Sequence, residues 1–273
     1  MLITNDSFHL CKMKVIVVPT DFSASAENAT LYAGELAKAI HASVLLLHVY
    51  QMPVTMSDFP VLIISAEELK NNADGGLKKA KEAAQKAMPG VQFETESRMG
   101  DVVDEIEDTC SKKDLVALVA GTKDMSGFER FLLGDTALSI VKNCEFPVIT
   151  VPEGAAIKIP QKIALAIDDG EDVPVEKIKE FIQLFEAQLH IVHVETEEES
   201  SPVHLPDALK EAMYHSLKED DVTKGIQHFV ERNNIDMVLV IPQKHTAFER
   251  LFFKGHTNDL INTMPVPVLS IRN

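Results

Sequence analysis

The feature that most restricts this chain of 273 residues is that it contains an altered copy of itself. Asp21 recurs as Asp168, a separation of 147, and His48-Val49 recurs as His193-Val194, a separation of 145. Phe128-Glu129-Arg130 recurs as Phe248-Glu249-Arg250 and Pro147-Val148 as Pro267-Val268, both 120 residues apart. The offset is nearly constant at each end and falls by 25 to 27 residues between the second and third landmarks. A duplicated unit whose second copy lacks about one helix from its middle has this signature. The obvious candidate for the missing piece is the charged helical run at residues 66–88.

Within each copy, short apolar runs alternate with amphipathic stretches. Lys14–Val18, Ser43–Val49 and Leu115–Ala120 are brief, β-branched and continuously apolar, as strands covered on both faces are. Residues 91–98 alternate and read as a strand, and Pro147–Val151 reads as the fifth. Ala24–Ile40 places Ala29, Tyr32, Ala33 and Leu36 on one helical face. Ala66–Met88 reads as a helix stopped by Pro89-Gly90, and Asp101–Lys112 and Asp135–Asn143 read as two more. Residues 50–65 read as a loop. In the second copy, 163–167, 188–194, Met237–Ile241 and Pro267–Ile271 read as strands and Val175–Phe185 as a helix. Alternating strands and helices predict two doubly wound, five-stranded parallel-sheet α/β domains in tandem. The predicted boundaries are an N-terminal arm at 1–13, a first domain at 14–152, a linker at 153–160 and a shortened second domain at 161–273.

Charge removes several functions. With 26 Lys+Arg against 42 Asp+Glu, the net charge is −16, so the chain lacks the basic surface that nucleic acid or an anionic membrane requires. No apolar run is long enough to span a bilayer, and the first residues lack the pattern of a secretory leader. Cys11, Cys110 and Cys144 form neither a disulfide framework nor a metal spacing, which predicts a reducing, cytoplasmic setting. His190 and His193, three apart on a strand, point to opposite faces and cannot share a metal. His48 reads as structural, and the acidic run 195–200 as a solvated loop. The expected catalytic and metal sets are empty.

In doubly wound sheets, ligands bind beyond the carboxyl ends of the strands where strand order reverses. Two segments fall there. Val18–Ser25 reads VPTDFSAS, in which Asp21 or Ser23 either caps the following helix or meets a ligand amino group. Gly121–Thr136 reads GTKDMSGFERFLLGDT, whose glycines permit close backbone approach to a phosphate.

Taken together, PTDFS, LLLHVY, GTK…SGFERFLLG and PVITVP make residues 14–273 resemble the universal stress protein family in its tandem form. The resemblance implies a Rossmann-like, adenine nucleotide alpha hydrolase-like fold. It marks Pro19, Thr20, Asp21, Val49, Ala120, Gly121, Lys123, Asp124, Gly134, Asp135 and Thr136 as nucleotide-binding positions in the first domain. Asp21 and the Val49 backbone would meet adenine, Gly121 the ribose, and Gly134 with its successor the phosphates. It also implies that the fifth strand pairs with its copy, making an intramolecular pseudo-dimer and leaving further homodimerisation open.

The sequence departs from the family's Gly-x2-Gly-x9-Gly-(Ser/Thr) pattern at two points. Asp124 stands at the second Gly and Asp135 at the hydroxyl position, with Thr136 one place later. Each carboxylate about 4 Å from a phosphate charge costs on the order of 4 kcal/mol at an effective dielectric near 20. Two such repulsions offset much of the roughly 8 kcal/mol behind micromolar affinity. A Mg²⁺ ion between carboxylates and phosphate oxygens would be the rescue. In the second domain Pro242 and Gln243 fall where Gly-Thr belongs, and no nucleotide is expected there.

The favoured expectation is a non-enzymatic stress-response protein acting through protein partners, with ATP or another adenine nucleotide in a degenerate first pocket. The alternative is a Mg·ATP-binding switch with slow hydrolysis in the first domain. A ligase- or adenylyl-transferase-like enzyme needs a Gly/Ser-rich phosphate loop directly after the first strand, and PTDFSAS lacks one.

Overall fold

The computed structural model describes residues 13–52, 65–122, 144–167, 173–196, 203–242 and 264–273. The expected arm and the expected helix at Asp135–Asn143 lie outside these residues, the arm but for Met13. The first half contains β1 (Val15–Pro19), α1 (Ala24–Ile40), β2 (Ser43–Tyr50), α2 (Ala66–Ala87), β3 (Gln92–Met99), α3 (Val102–Ser111), β4 (Leu115–Thr122) and β5 (Val148–Pro152). The second half contains β6 (Lys162–Ala166), α4 (Val175–Phe185), β7 (Gln188–Glu195), a 3₁₀ turn (Asp207–Leu209), β8 (Met213–Lys218), α5 (Val222–Asn233), β9 (Met237–Val240) and β10 (Val268–Ser270).

All ten strands form one sheet in the order β3-β2-β1-β4-β5-β10-β9-β6-β7-β8. Read from either outer edge inward, the order is third, second, first, fourth, fifth strand of that half. Every neighbouring pair is parallel except β5 with β10. At that junction Val148 pairs with Ser270, Thr150 with Val268, and Ile149 with Leu269, its own repeat mate. A local two-fold therefore passes between Ile149 and Leu269, the self-complementary arrangement of an isologous contact.

Local chemistry explains the helix starts. Ser65 accepts from the Glu68 amide at the head of α2, and Asp101 accepts from the Val103 and Asp104 amides at the head of α3. On one face of the sheet a single buried cluster runs through both halves, from Tyr32, Leu36 and Ile149 to Ile163, Phe181 and Leu269. Separate clusters fill the other face of each half. Asp236 holds the segment between the halves: its Oδ2 accepts from the amides of Gln161 and Lys162 at 2.9 Å, and Lys158 pairs with it.

Among the described residues, β7 and β8 are separated by the 3₁₀ turn, where the first half carries α2 between β2 and β3. The 25 to 27 residues by which the second copy is shorter thus fall where the first has α2. Two elements of the second half, β8 and α5, go beyond the sequence expectation. β8 is an edge strand with no fully buried residue, so its apolar pattern is faint. α5 carries Gly225 in its interior, and Ile226, Phe229 and Val230 are its buried apolar residues.

Candidate functional site

In the first half the carboxyl ends of β2, β1 and β4 lie side by side, at the point where the strand order reverses. Between β1 and α1 the chain turns in four residues, each held. The Thr20 amide donates to the Leu47 carbonyl at 2.9 Å, and the Phe22 amide donates to Thr20 Oγ1 at 3.0 Å. Asp21 Oδ1 accepts from the Ser23 amide at 3.0 Å and from Ser23 Oγ at 2.5 Å. Ser23 Oγ in turn caps α1, accepting from the Ala26 amide. The capping role thus belongs to Ser23, and Asp21 braces it while remaining exposed to solvent.

Phe22 sits at φ 65°, the left-handed region, which for a side chain with a Cβ costs on the order of 1–3 kcal/mol. Its ring lies 4.5 Å from that of His48. The His48 Nδ1 donates to the Thr20 carbonyl at 2.7 Å, so the imidazole buttresses the same turn. Beyond Phe22 a groove of about 370 Å³ opens between α1 and α2, walled by Thr30, Leu31, Ala80 and Ala84.

Of the eleven expected nucleotide positions, Pro19, Thr20, Asp21, Val49, Ala120 and Gly121 fall on these three strands or the turn after them. Lys123, Asp124, Gly134, Asp135 and Thr136 lie outside the described residues. Gly121 has a reason to be glycine that the sequence did not reveal. A Cβ there would stand 2.1 Å from the Ser25 carbonyl oxygen, so its bareness lets the first turn of α1 close over the end of β4.

The second half repeats the frame and changes the content. His193 Nδ1 donates to the Ile167 carbonyl at 3.2 Å, the same bond that His48 makes to Thr20. Strand register places Leu118 opposite Val148 and Val238 opposite Val268. The counterparts of Gly121-Thr122 are therefore Ile241-Pro242, not the Pro242-Gln243 expected from sequence. The 120-residue offset of the neighbouring landmarks gives the same alignment, so the expected pair stood one residue too far along. Ile241 is buried in the shared core cluster, and the connection to α4 spans residues 167–174 where the first half uses 20–23. A branched side chain fills the second half where the first admits a helix terminus.

Other perturbed titratable groups lie away from this turn. His190 Nδ1 lies 3.2 Å from His215 Nε2, on the opposite sheet face from His193. Burial, then His215 and Lys162, hold the His190 imidazole below the usual histidine range. Cys110 and Cys144 are buried free thiols, each pushed up to about 12 mainly by desolvation. Among the described residues, no group of three His, Cys, Asp or Glu could hold a metal, and no helix is long and apolar enough to cross a membrane.

These features define a duplicated, doubly wound α/β protein whose two copies differ at a strand end of the switch point. The family model described as "Universal stress protein family" matches residues 12–152. The chain is 35% identical over 144 residues to a universal stress protein of Methanocaldococcus jannaschii, covering 50% of this chain and 81% of that one. It is 31% identical over 147 residues to a universal stress protein of Bacillus subtilis, covering 51% and 97%. This chain belongs to the universal stress protein family. In fold, it is similar along 95% of its length to 96% of a universal stress protein from Archaeoglobus fulgidus, with TM-score 0.68 and 18% identity. A functionally unknown protein from Pseudomonas aeruginosa matches over 96% of this chain and 92% of its own, with TM-score 0.54 and 12% identity.

Proposed function

We propose that this protein acts without catalysis, in the cytoplasm, through protein partners, and that its adenine-nucleotide pocket is confined to the first half and degenerate there. The observation that carries the asymmetry is the pair Gly121 and Ile241 at one register position. Bare backbone meets α1 beside the Asp21 turn in one half, and a buried isoleucine occupies the equivalent strand end in the other. Membership of the family supports adenine nucleotide as the ligand class. The carboxylates Asp124 and Asp135, at positions the family gives to Gly and Ser or Thr, support a pocket weakened toward triphosphate.

The test is the thermal midpoint with and without millimolar Mg·ATP. A ligand at 100 times its dissociation constant stabilises by about 2.7 kcal/mol. The reading expects little or no shift for the natural chain and a clear upward shift for the double variant Asp124→Gly, Asp135→Ser. A full shift in the natural chain, with slow phosphate release, would favour the Mg·ATP switch instead. A double variant as unresponsive as the parent would refute the electrostatic account of the two aspartates.

A further inference from the structure

We propose that Phe22 is a positioning residue that ties α2 to the Thr20–Ser23 turn, so that α2 sets where Asp21 stands; its bearing on ligand rests on the nucleotide reading above. Three observations converge on the ring. The backbone of Phe22 is held at φ 65°, with its amide bonded to Thr20 Oγ1, which fixes the direction in which its side chain leaves the turn. On one side the ring meets His48, which itself holds the Thr20 carbonyl. At its tip the ring meets Gly76: a Cβ built there would lie 2.6 Å from Cζ and 2.7 Å from Cε2.

Gly76 is one of two adjacent glycines inside a helix otherwise rich in Ala, Lys and Glu. Glycine weakens a helix interior, so each needs a reason. Gly75 has none in packing, since nothing lies within 4 Å of its would-be Cβ. Gly76 is the notch that receives Phe22. The second half supplies a natural comparison. There the described residues between β7 and β8 hold no counterpart of α2, and the repeat offset of 147 puts Asp169 where Phe22 stands in the sequence. Ring and notch are lost together, and the turn between strand and helix grows longer. A ring serving only to cover apolar surface would have no need of this helix.

The experiment measures amide hydrogen exchange at Ser23 and Ala26, whose N–H groups bond to Asp21 and Ser23, in the full chain. Titration calorimetry with Mg·ATP runs alongside. Gly76→Ala and Phe22→Ala are each expected to speed exchange at both amides by about tenfold, equivalent to ~1.4 kcal/mol. The pair together should be no faster than Phe22→Ala alone. Gly75→Ala should match the natural chain, which separates positioning from general loss of stability. Wherever Mg·ATP binds the natural chain, Gly76→Ala should weaken it about tenfold. Unchanged exchange in Gly76→Ala, or additive effects in the double variant, would overturn the proposal whatever the nucleotide does. Faster exchange with undiminished Mg·ATP affinity would overturn the positioning of Asp21. Faster exchange in a series in which no chain, natural included, binds Mg·ATP would support the tie to α2 and place the failure with the nucleotide reading.

Discussion

The two halves share a strand order, a histidine-to-carbonyl bond and a paired fifth strand, yet differ at the carboxyl end of the fourth strand. What is kept in both is what the joint sheet needs; what differs lies at the switch point. His48 and His193 each secure the last carbonyl of a central strand. Gly121 and Ile241 occupy one register position and do opposite things with it. The residues that maintain the shared sheet are therefore separate from those that differ at the switch point, and one set can change without the other.

The largest expected effect is at Ile241. Truncation to Ala empties a site within the core shared by both halves and should cost about 3.5 kcal/mol, read as a lowered urea midpoint. If the loss is under about 1 kcal/mol, the second strand end is not packed as described and the contrast with Gly121 weakens. The mirror substitution, Gly121→Ala, drives a methyl toward the Ser25 carbonyl and should cost about 3 kcal/mol through overpacking. A neutral Gly121→Ala would show that α1 stands off from β4 and that both halves are equally open.

A smaller, pH-dependent difference belongs to the second half alone. Burial keeps His190 neutral in the folded state below the ordinary histidine value of 6.5. The unfolded chain then binds more protons, so stability is complete above about pH 6.5 and declines as pH falls below it. Urea midpoints at pH 7.5 and 5.5 should differ less in His190→Gln than in the natural chain. Smallest of all, Gly75→Ala should raise the thermal midpoint, corresponding to about 1 kcal/mol of helix propensity. Gly76→Ala should give no such gain, because the added methyl meets Phe22.

Much of this architecture is legible in the sequence because its strands are covered on both faces. KVIVV and SVLLLHV need no periodicity to be read, and Pro89-Gly90 marks the end of the long helix. β8 and α5 escape that reading for the converse reason. One is a half-exposed edge strand, and the other is a helix with a glycine in its interior. At the site, Asp21 and Gly121 stand out as residue types, but their partners do not. That Gly121 faces a helix terminus, and that Gly76 receives an aromatic ring, are facts of chain crossings between segments far apart in sequence. The shift by one residue at Ile241 is of another kind. The 120-residue offset of the flanking landmarks already sets Ile241 opposite Gly121, and strand pairing agrees.

The meeting of Ile149 with Leu269 has a consequence for the protein's history in the cell. Two separate chains that join through such an edge come apart on dilution. Here the partners are tethered, so each experiences the other at an effective concentration on the order of millimolar at every expression level. The junction holds equally well when the protein is scarce and when it is abundant. Under that protection the second copy has only to present its edge, and its own strand ends are free to fill with isoleucine.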